Sequence, residues 1–489
     1  MDKGKAIIIG GGIGGLGTAL LLGRAGYRVT LFEKNSTLGG VCNRFSENGF
    51  TFDTGPSWYM WHEAYEQFFK AAGTSAEQEL RLVRLEPTAR VFGVNESFDL
   101  VPSEEAMANT YEHLETGAGE RFREYLADGR RKYRLAQEYF LESNFNSKIE
   151  AFLSSFIFKL GPGVLWGSME RELAKRFKHP LVEAAIMLPG AFLGAPPGRT
   201  SSLFTLMNSI ETDGGVSHPM GGMYTIVEAL VRLGKAAGVE YRIDMPVVKI
   251  QTAGGRTTGV VLGSGERHNA DLVVAANDRA FIERNLLEPR EREFPESYWA
   301  SREKTFSCLL LYLGVRGKLE RLTHHNVFFA QNWKKHFEEI EAGVLPSDPN
   351  IFVDMPSATD PSVAPEGSEN LFVLIPIAPR EYETGELEMY GDRIIDKLAA
   401  LFGEPDLGER IVVRRQFGGA DFSHTYNAFG NTAFGVSHSL FQSAWWRPNN
   451  VHSKIKNLFF VGASTNPGIG VPTCLLSAIR VARRIGLQK

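Results

Sequence analysis

No run of ~18 uninterrupted apolar residues occurs in this chain of 489 residues, so no segment reads as a helix that crosses a bilayer. The start, "MDKGKAIIIGGG", lacks the ~7–15-residue apolar core and small-residue cleavage site of a secretory signal. Cysteine is scarce: Cys42, Cys308 and Cys474 are odd in number, widely spaced and never in a Cys-x-x-Cys. That excludes a disulfide framework and a cysteine-held metal, and it fits a reducing compartment. Charge of one sign is missing as well. A net charge of −4 offers none of the basic excess that marks a nucleic-acid binder, so no nucleic-acid partner is expected. There is no internal repeat, no low-complexity tract, no P-loop and no Ser/His/Asp triad. No His/carboxylate spacing suggests a metal, and none is expected. Together these absences predict a cytoplasmic protein, attached to a membrane peripherally if at all.

What remains is an ordered globular composition, 43% hydrophobic and 22% charged, in a chain long enough for two or three domains. Its most informative stretch begins at Ala6: "AIIIGGGIGGLGTALLLGRAGYRVTLFEK". "AIII" reads as a buried parallel strand, Ile13, Leu16, Ala19 and Leu20 recur at helical spacing, and "YRVTLFEK" reads as a second strand. Gly10, Gly12, Gly14 and Gly15 lie between strand and helix, where glycines let backbone approach a pyrophosphate and the helix N-terminus offers it free N–H groups. Glu33, followed by Lys34, closes the second strand, placed to accept from ribose hydroxyls. A second pair, Gly39 and Gly40, and then "GFTFDTGPSW", with Gly55, Pro56 and Ser57, extend the motif. A nicotinamide domain needs no such extension, whereas a flavin needs further loops. No second Gly-x-Gly-x-x-Gly appears. The cofactor expected is FAD, with no separate NAD(P) domain.

With these residues in view, the chain resembles the FAD-dependent amine oxidoreductase superfamily, and within it the bacterial phytoene desaturase-type carotenoid branch. The resemblance is carried by "IIIGGGIGGLGTALLL", "VTLFEKNSTLGG" and "GFTFDTGPSWY" at the start. "HPMGGMYTIVEAL", "YRIDMPVVKI", "AFGVSHSLFQSAWWRPNN" and "NLFFVGASTNPGIGVPTCLLSA" extend it over nearly the whole chain. It implies that Gly462, Ala463, Gly470, Val471 and Pro472 meet the flavin ring, and that the backbone of Val247 pairs with adenine. The turn Pro467 to Pro472 then aims a helix N-terminus at the ring, where its partial positive charge stabilises reduced flavin. Many relatives carry Arg directly after the second glycine pair; here Val41 stands there, and Arg44 is the candidate to replace it.

The expected fold is α/β. A discontinuous Rossmann-like FAD-binding domain is drawn from residues 1–100, 215–285 and 425–489. Residues 286–424 are expected to form a β-sheet substrate-binding domain, and 101–214 a helical, membrane-contacting subdomain. The membrane candidates are "AFLSSFIFKLGPGVLWGSM" (151–169) and "LVEAAIMLPGAFLGAPPG" (181–198), flanked by Lys148, Lys159, Arg171, Lys175, Arg176 and Lys178. Both are broken by Gly or Pro, and a buried helix pair is the competing reading.

The activity the resemblance implies is carotenoid desaturation: hydride leaves a saturated C–C bond beside a polyene for the flavin, and a proton leaves the neighbouring carbon. Such a substrate has no polar handle, so a long apolar tunnel is expected and catalysis rests on positioning and the flavin itself. The partners expected are a hydrophobic polyene, a membrane surface, and oxygen or a quinone as electron acceptor. No catalytic side chain stands out; Glu211, Asp213 and His424 are candidates, with His218 and His438 in neighbouring motifs. Related activities stay open: a C30 dehydrosqualene or hydroxycarotenoid desaturase, a carotenoid oxidase or isomerase, or a retinol-saturase-like enzyme. More distant are a soluble amine oxidase and a prenyl-protein escort without flavin.

Overall fold

The computed structural model describes residues 3–138, 167–191, 194, 196, 198–439, 442–443 and 446–487. The segment 151–166, with Lys148 and Lys159, lies outside the described residues.

A five-stranded parallel sheet has the order Glu240–Arg242, Arg28–Phe32, Lys5–Ile9, Leu272–Ala275, Leu458–Phe460. The sequence dictates two covered faces, because successive side chains point opposite ways and both sets are apolar. Ala6, Ile8, Leu31 and Val274 pack with the helices Ile13–Arg24, Tyr224–Ala236 and Val471–Ile485. Ile7, Ile9, Phe32 and Val273 pack instead on Ile250, Val260 and Leu262 of a three-stranded antiparallel sheet, Val247–Ala253, Arg256–Leu262 and Arg267–Asn269. A long helix, a parallel strand and a β-meander are thereby stacked behind one glycine turn.

The second sheet has seven strands, in the order Ile411–Gly418, Ser307–Arg316, Ser368–Ile377, Ile351–Asp354, His325–Phe328, Ala89–Phe92, Ser97–Leu100. Its pairs are antiparallel except His325–Phe328 with Ala89–Phe92. Alternation again sorts the side chains. Leu309, Leu311, Leu313 and Val315 face the helix Glu386–Phe402, while Cys308, Leu310 and Tyr312 face the molecule's interior. Residues 89–100, assigned by texture to the nucleotide domain, thus belong to the seven-stranded sheet. A parallel partner more than 230 positions away in the chain leaves no local mark.

On the inner face of the seven-stranded sheet pack helices Glu104–Leu114, Ala118–Ala136, Met169–Arg176 and Pro180–Ala191, with Leu206–Gly214 beside them. Tyr125 Oη donates to Asn208 Oδ1 (2.8 Å), and Asn208 Nδ2 donates to the Ile186 carbonyl (3.0 Å), joining three of them. Leu181, Val182, Ala184, Ala185, Ile186, Met187 and Leu188 are all buried. The second expected membrane segment is therefore core over these residues, and the one charge among them, Glu183, is paired with Lys334. Arg176 pairs with Glu172 and lies over the Tyr125 ring, so this cation serves the fold. No described helix is long and apolar enough to cross a membrane.

Candidate active site

A single cavity of about 610 Å³ runs from the C-terminal ends of the parallel strands to the inner face of the seven-stranded sheet. Gly10, Gly12, Gly14, Glu33, Lys34, Gly39 and Gly40 line one end, with Gly55, Pro56 and Ser57 beside them. Gly462, Ala463, Gly470, Val471 and Pro472 line the cavity as well. Fifteen of the eighteen expected cofactor residues are thus brought to one wall; Gly15, Arg44 and Val247 are not.

Local structure explains the convergence. The helix Ile13–Arg24 starts at Gly12 with no side-chain cap and no acidic residue in its first turn, so its N–H groups stay available to an anion. Glu33 is buried and braced by backbone: Gly11 N–H donates to Oε2 (2.7 Å) and Asn35 N–H to Oε1 (2.9 Å). Each oxygen keeps a second lone pair for a hydroxyl. The two glycine pairs clasp each other, Gly39 N–H donating to the Gly11 carbonyl (2.8 Å). Lys34 spans to another segment, its Nζ donating to the His424 carbonyl (2.7 Å) and Asn427 Oδ1 (2.8 Å), and burial draws its pKa down.

The cradle has room where a dinucleotide needs it. A Cβ on Gly12 would meet only the Gly39 carbonyl oxygen, at 4.0 Å, and one on Gly462 would meet nothing within 4 Å. At both positions a ligand can lie directly on backbone, which is the fit required for a pyrophosphate and a flat ring. Gly15 differs: its Cβ would sit 2.1 Å from the Gly10 carbonyl oxygen, so its smallness serves the strand–helix turn. Arg44 pairs with Glu228 and lies over the Tyr224 ring, 4.7 Å from its centroid, rather than at the cavity. Val247 opens the β-meander, two residues beyond Met245, whose N–H donates to the Glu33 carbonyl (2.8 Å).

The helix Val471–Ile485 repeats the device, beginning at Gly470 with Pro472 in its first turn, no side-chain cap and no acidic residue. Two residues without an assigned role in the sequence reading hold this loop. Arg447, 2% exposed, donates to the carbonyls of Val436, Ser437, Gln442 and Ala463. Asn450 Nδ2 donates to the Phe460 carbonyl (2.9 Å), Thr465 Oγ1 (3.1 Å) and Ser477 Oγ (3.1 Å). Both lie in "WWRPNN", where an Arg and Asn beside a proline turn were the available signal.

The far end changes character. Leu310, Phe306, Phe329, Phe352, Phe372 and Leu374 are among its walls. The only Asp, Glu, Lys or Arg among the described lining residues are Glu33, Lys34 and Asp278, all placed just beyond parallel strands. Asp278 is a helix cap, its Oδ1 accepting from Ala280 N–H (2.8 Å), and burial raises its pKa. Of the acid–base candidates, Glu211 lies outside the lining, accepting from Thr88 Oγ1 (3.3 Å), and burial pushes it up to about 7. Asp213 is ion-paired with Arg130, and His424 reaches the site's surroundings through its backbone carbonyl. His218 is buried beside His324, with ring centroids 4.7 Å apart. His438 does line the cavity; burial holds it far down, so it is neutral, and its Nδ1 has no partner among the described residues. The thiols of Cys42 and Cys474, distant in sequence, both line the cavity and are free.

Comparison with known proteins agrees with this geometry. Residues 13–486 match the model of the flavin containing amine oxidoreductase family. A carotenoid 3,4-desaturase from Haloarcula japonica is 37% identical over 485 residues, covering 98% of this chain and 97% of the relative. A zeta-carotene-forming phytoene desaturase from Myxococcus xanthus is 34% identical, covering 98% and 93% respectively. In fold, the chain resembles an oxidoreductase from Methanosarcina mazei with a TM-score of 0.65 at 18% identity, covering 98% of this chain and 100% of that one.

Proposed function

Since the chain belongs to the flavin-containing amine oxidoreductases, we propose that it is an FAD-dependent carotenoid desaturase that introduces C=C bonds into phytoene or a related polyene. One observation carries this reading: a dinucleotide cradle opens, within one cavity, onto a far end lined by aromatic and aliphatic side chains. A soluble amine oxidase needs a polar site for the substrate nitrogen, and the acidic and basic side chains of the described lining are confined to the strand ends. An escort protein without flavin has no use for a cradle in which Gly12 and Gly462 leave backbone bare.

In this reading Gly10, Gly12 and Gly14 and the start of the helix Ile13–Arg24 hold the pyrophosphate, and Glu33 the ribose. Gly462, Ala463, Gly470, Val471 and Pro472 face the ring. Bound FAD supplies the hydride acceptor. The chain's own contribution is positional: Arg447 and Asn450 fix the loop that would hold the ring, and the uncapped helix at Gly470 has N–H groups that would stabilise negative charge on it. The aromatic far end excludes water and aligns an unpolarised chain, which is where rate enhancement comes from when the substrate has nothing to hydrogen-bond. His438 is the one imidazole of the described lining, and burial and the nearby Arg447 keep it uncharged. The substrate is collected from a membrane surface on the cytoplasmic side, and oxygen or a quinone takes the electrons, consistent with a single glycine cradle in the sequence.

The test is anaerobic incubation of FAD-loaded protein with liposomes containing phytoene or dehydrosqualene. Flavin bleaching with products of longer conjugation is expected. Flavin that is reduced by amines and by neither polyene would overturn the reading.

A further inference from the structure

Away from the cavity lining, three buried side chains converge. His325 stands directly opposite Asp354 in the antiparallel pairing of His325–Phe328 with Ile351–Asp354, and His324 precedes it. Their exposures are 0%, 5% and 4%. His324 Nε2 lies 3.4 Å from Asp354 Oδ1 and His325 Nε2 lies 3.7 Å from the same oxygen. One ligand atom from each of the three falls within 4.8 Å of the others. Neither Nε2 nor Asp354 Oδ1 has a hydrogen-bond partner among the described residues.

The tautomer sharpens the problem. His325 Nδ1 sits 2.9 Å from the Thr88 carbonyl oxygen, which only accepts, so Nδ1 carries the proton and the Nε2 of the neutral ring presents a lone pair. His324 Nδ1 is likewise engaged, 2.8 Å from Thr359 Oγ1. The His325 lone pair therefore faces a carboxylate oxygen in a buried site, an arrangement that is costly without a cation or proton between them. The separations exceed a normal N–H···O bond of ~2.7–3.2 Å. Two atoms each ~2.0–2.1 Å from a tetrahedral ion are, however, ~3.3–3.4 Å apart. Anchored Nδ1 atoms are the outer shell that ligating histidines ordinarily have.

We propose that His324 Nε2, His325 Nε2 and Asp354 Oδ1 form a binding site for one divalent first-row transition ion of the zinc type. Two imidazoles and a carboxylate suit such an ion rather than calcium or magnesium, which take oxygen ligands. The site is structural. It ties the strands His325–Phe328 and Ile351–Asp354 together, and His325 in turn stacks on Trp58, with centroids 4.5 Å apart and planes 8° apart. Trp58 lines the cavity, so the ion fixes part of the cavity wall without facing it. The other convergent cluster, Glu283, Glu293 and His452, needs no ion, because Arg279 Nη2 already lies 2.8 Å from Glu283 and 2.7 Å from Glu293.

The experiment uses the full-length flavin-loaded protein. Metal content is measured by mass spectrometry after expression with zinc, and chelated protein is titrated with Co²⁺ while its visible d–d absorption is followed. About one equivalent of metal and new Co²⁺ bands are expected, with affinity at least about tenfold weaker in Asp354→Asn and His325→Gln and unchanged in Glu293→Gln. Flavin absorbance reports whether each variant has folded. Wild-type protein that neither retains metal nor develops Co²⁺ bands at saturating ion overturns the proposal, with no variant required. Metal lost in Glu293→Gln and kept in Asp354→Asn overturns it as well. The measurement does not depend on which polyene, or whether any polyene, is oxidised.

Discussion

The nucleotide end of the cavity is made almost wholly of backbone, whereas the far end is made of side chains. At the first, glycines at 10, 12, 14, 39, 40 and 462 strip the wall down to N–H and C=O groups, and uncapped helix starts at Gly12 and Gly470 supply the polarity. At the second, Leu310, Phe352, Phe372 and Phe434 present hydrocarbon from strands and loops far apart in the chain. Backbone recognition suits a ligand with fixed charges and many acceptors. Side-chain walls suit one whose only property is shape. The difference predicts that the two ends fail independently.

The largest effect should come from Gly12→Val. Gly12 has an ordinary extended backbone, φ −73° and ψ 175°, so valine fits without strain and its side chain enters the space over the helix start. FAD affinity is expected to fall about 100-fold, or about 2.7 kcal/mol, leaving colourless, inactive protein whose far-UV circular dichroism is unchanged. Bound-flavin absorbance at increasing FAD checks it; undiminished yellow protein would show that the cradle lies elsewhere.

Arg447→Met comes next. Its guanidinium serves four carbonyls in a buried loop, and burial lowers its pKa to about 10, with Asp278 partly compensating. Removing a charged donor and leaving buried carbonyls unpaired should cost about 2.5 kcal/mol in chemical denaturation. FAD binding should weaken by less than in Gly12→Val, because Arg447 acts on the cavity only through Ala463.

The same contrast decides what could be read from the chain. The glycine clusters, Glu33 and the closing turn are legible because their chemistry is backbone chemistry at short, fixed offsets. The alternation of Ser307–Arg316 reveals a strand with two buried faces but not its neighbours, so the order of seven strands and the place of residues 89–100 were hidden. Arg44 stood at a suggestive position, yet Glu228, some 180 residues later, captures it. Leu181–Leu188 is apolar but for Glu183, which Lys334 pairs from a distant element, and a sequence cannot say whether lipid or protein supplies the other surface. His325 and Asp354 meet only through cross-strand register, so no spacing announces them.

Glu211→Gln probes the helix that backs the cavity, since Ile210 is part of the lining and Glu211 is not. Burial raises the folded pKa of Glu211 from its ordinary value of 4.5 to about 7. Above pH 4.5 the unfolded chain releases this proton while the folded protein keeps it, so stability falls as pH rises and levels off beyond about 7. Asp53, pushed up to about 7 by burial as well, adds a slope of the same sign. The variant should lose about 2 kcal/mol of the parent's decline between pH 5 and pH 7, measured by urea denaturation at a series of pH values. An unchanged decline would mean that Glu211 is ionised in the folded protein.

The smallest effect, and the sharpest comparison, is Leu310→Gln. Leu310 lies on the inner face of the seven-stranded sheet, 3% exposed, opposite Leu374 in the paired strand Ser368–Ile377. Both line the far end of the cavity. An amide there adds a polar group that an apolar substrate cannot satisfy, so kcat/KM for the polyene should fall about tenfold, or about 1.4 kcal/mol. The flavin spectrum and FAD affinity should match the parent, since Leu310 lies outside the cradle residues. Gly12→Val removes both cofactor and turnover, whereas Leu310→Gln should spare the first and impair the second. If instead Leu310→Gln lowers FAD affinity as much as turnover, the two ends form one cooperative unit, and the division between a backbone-built cradle and a side-chain-built wall describes only how the cavity looks.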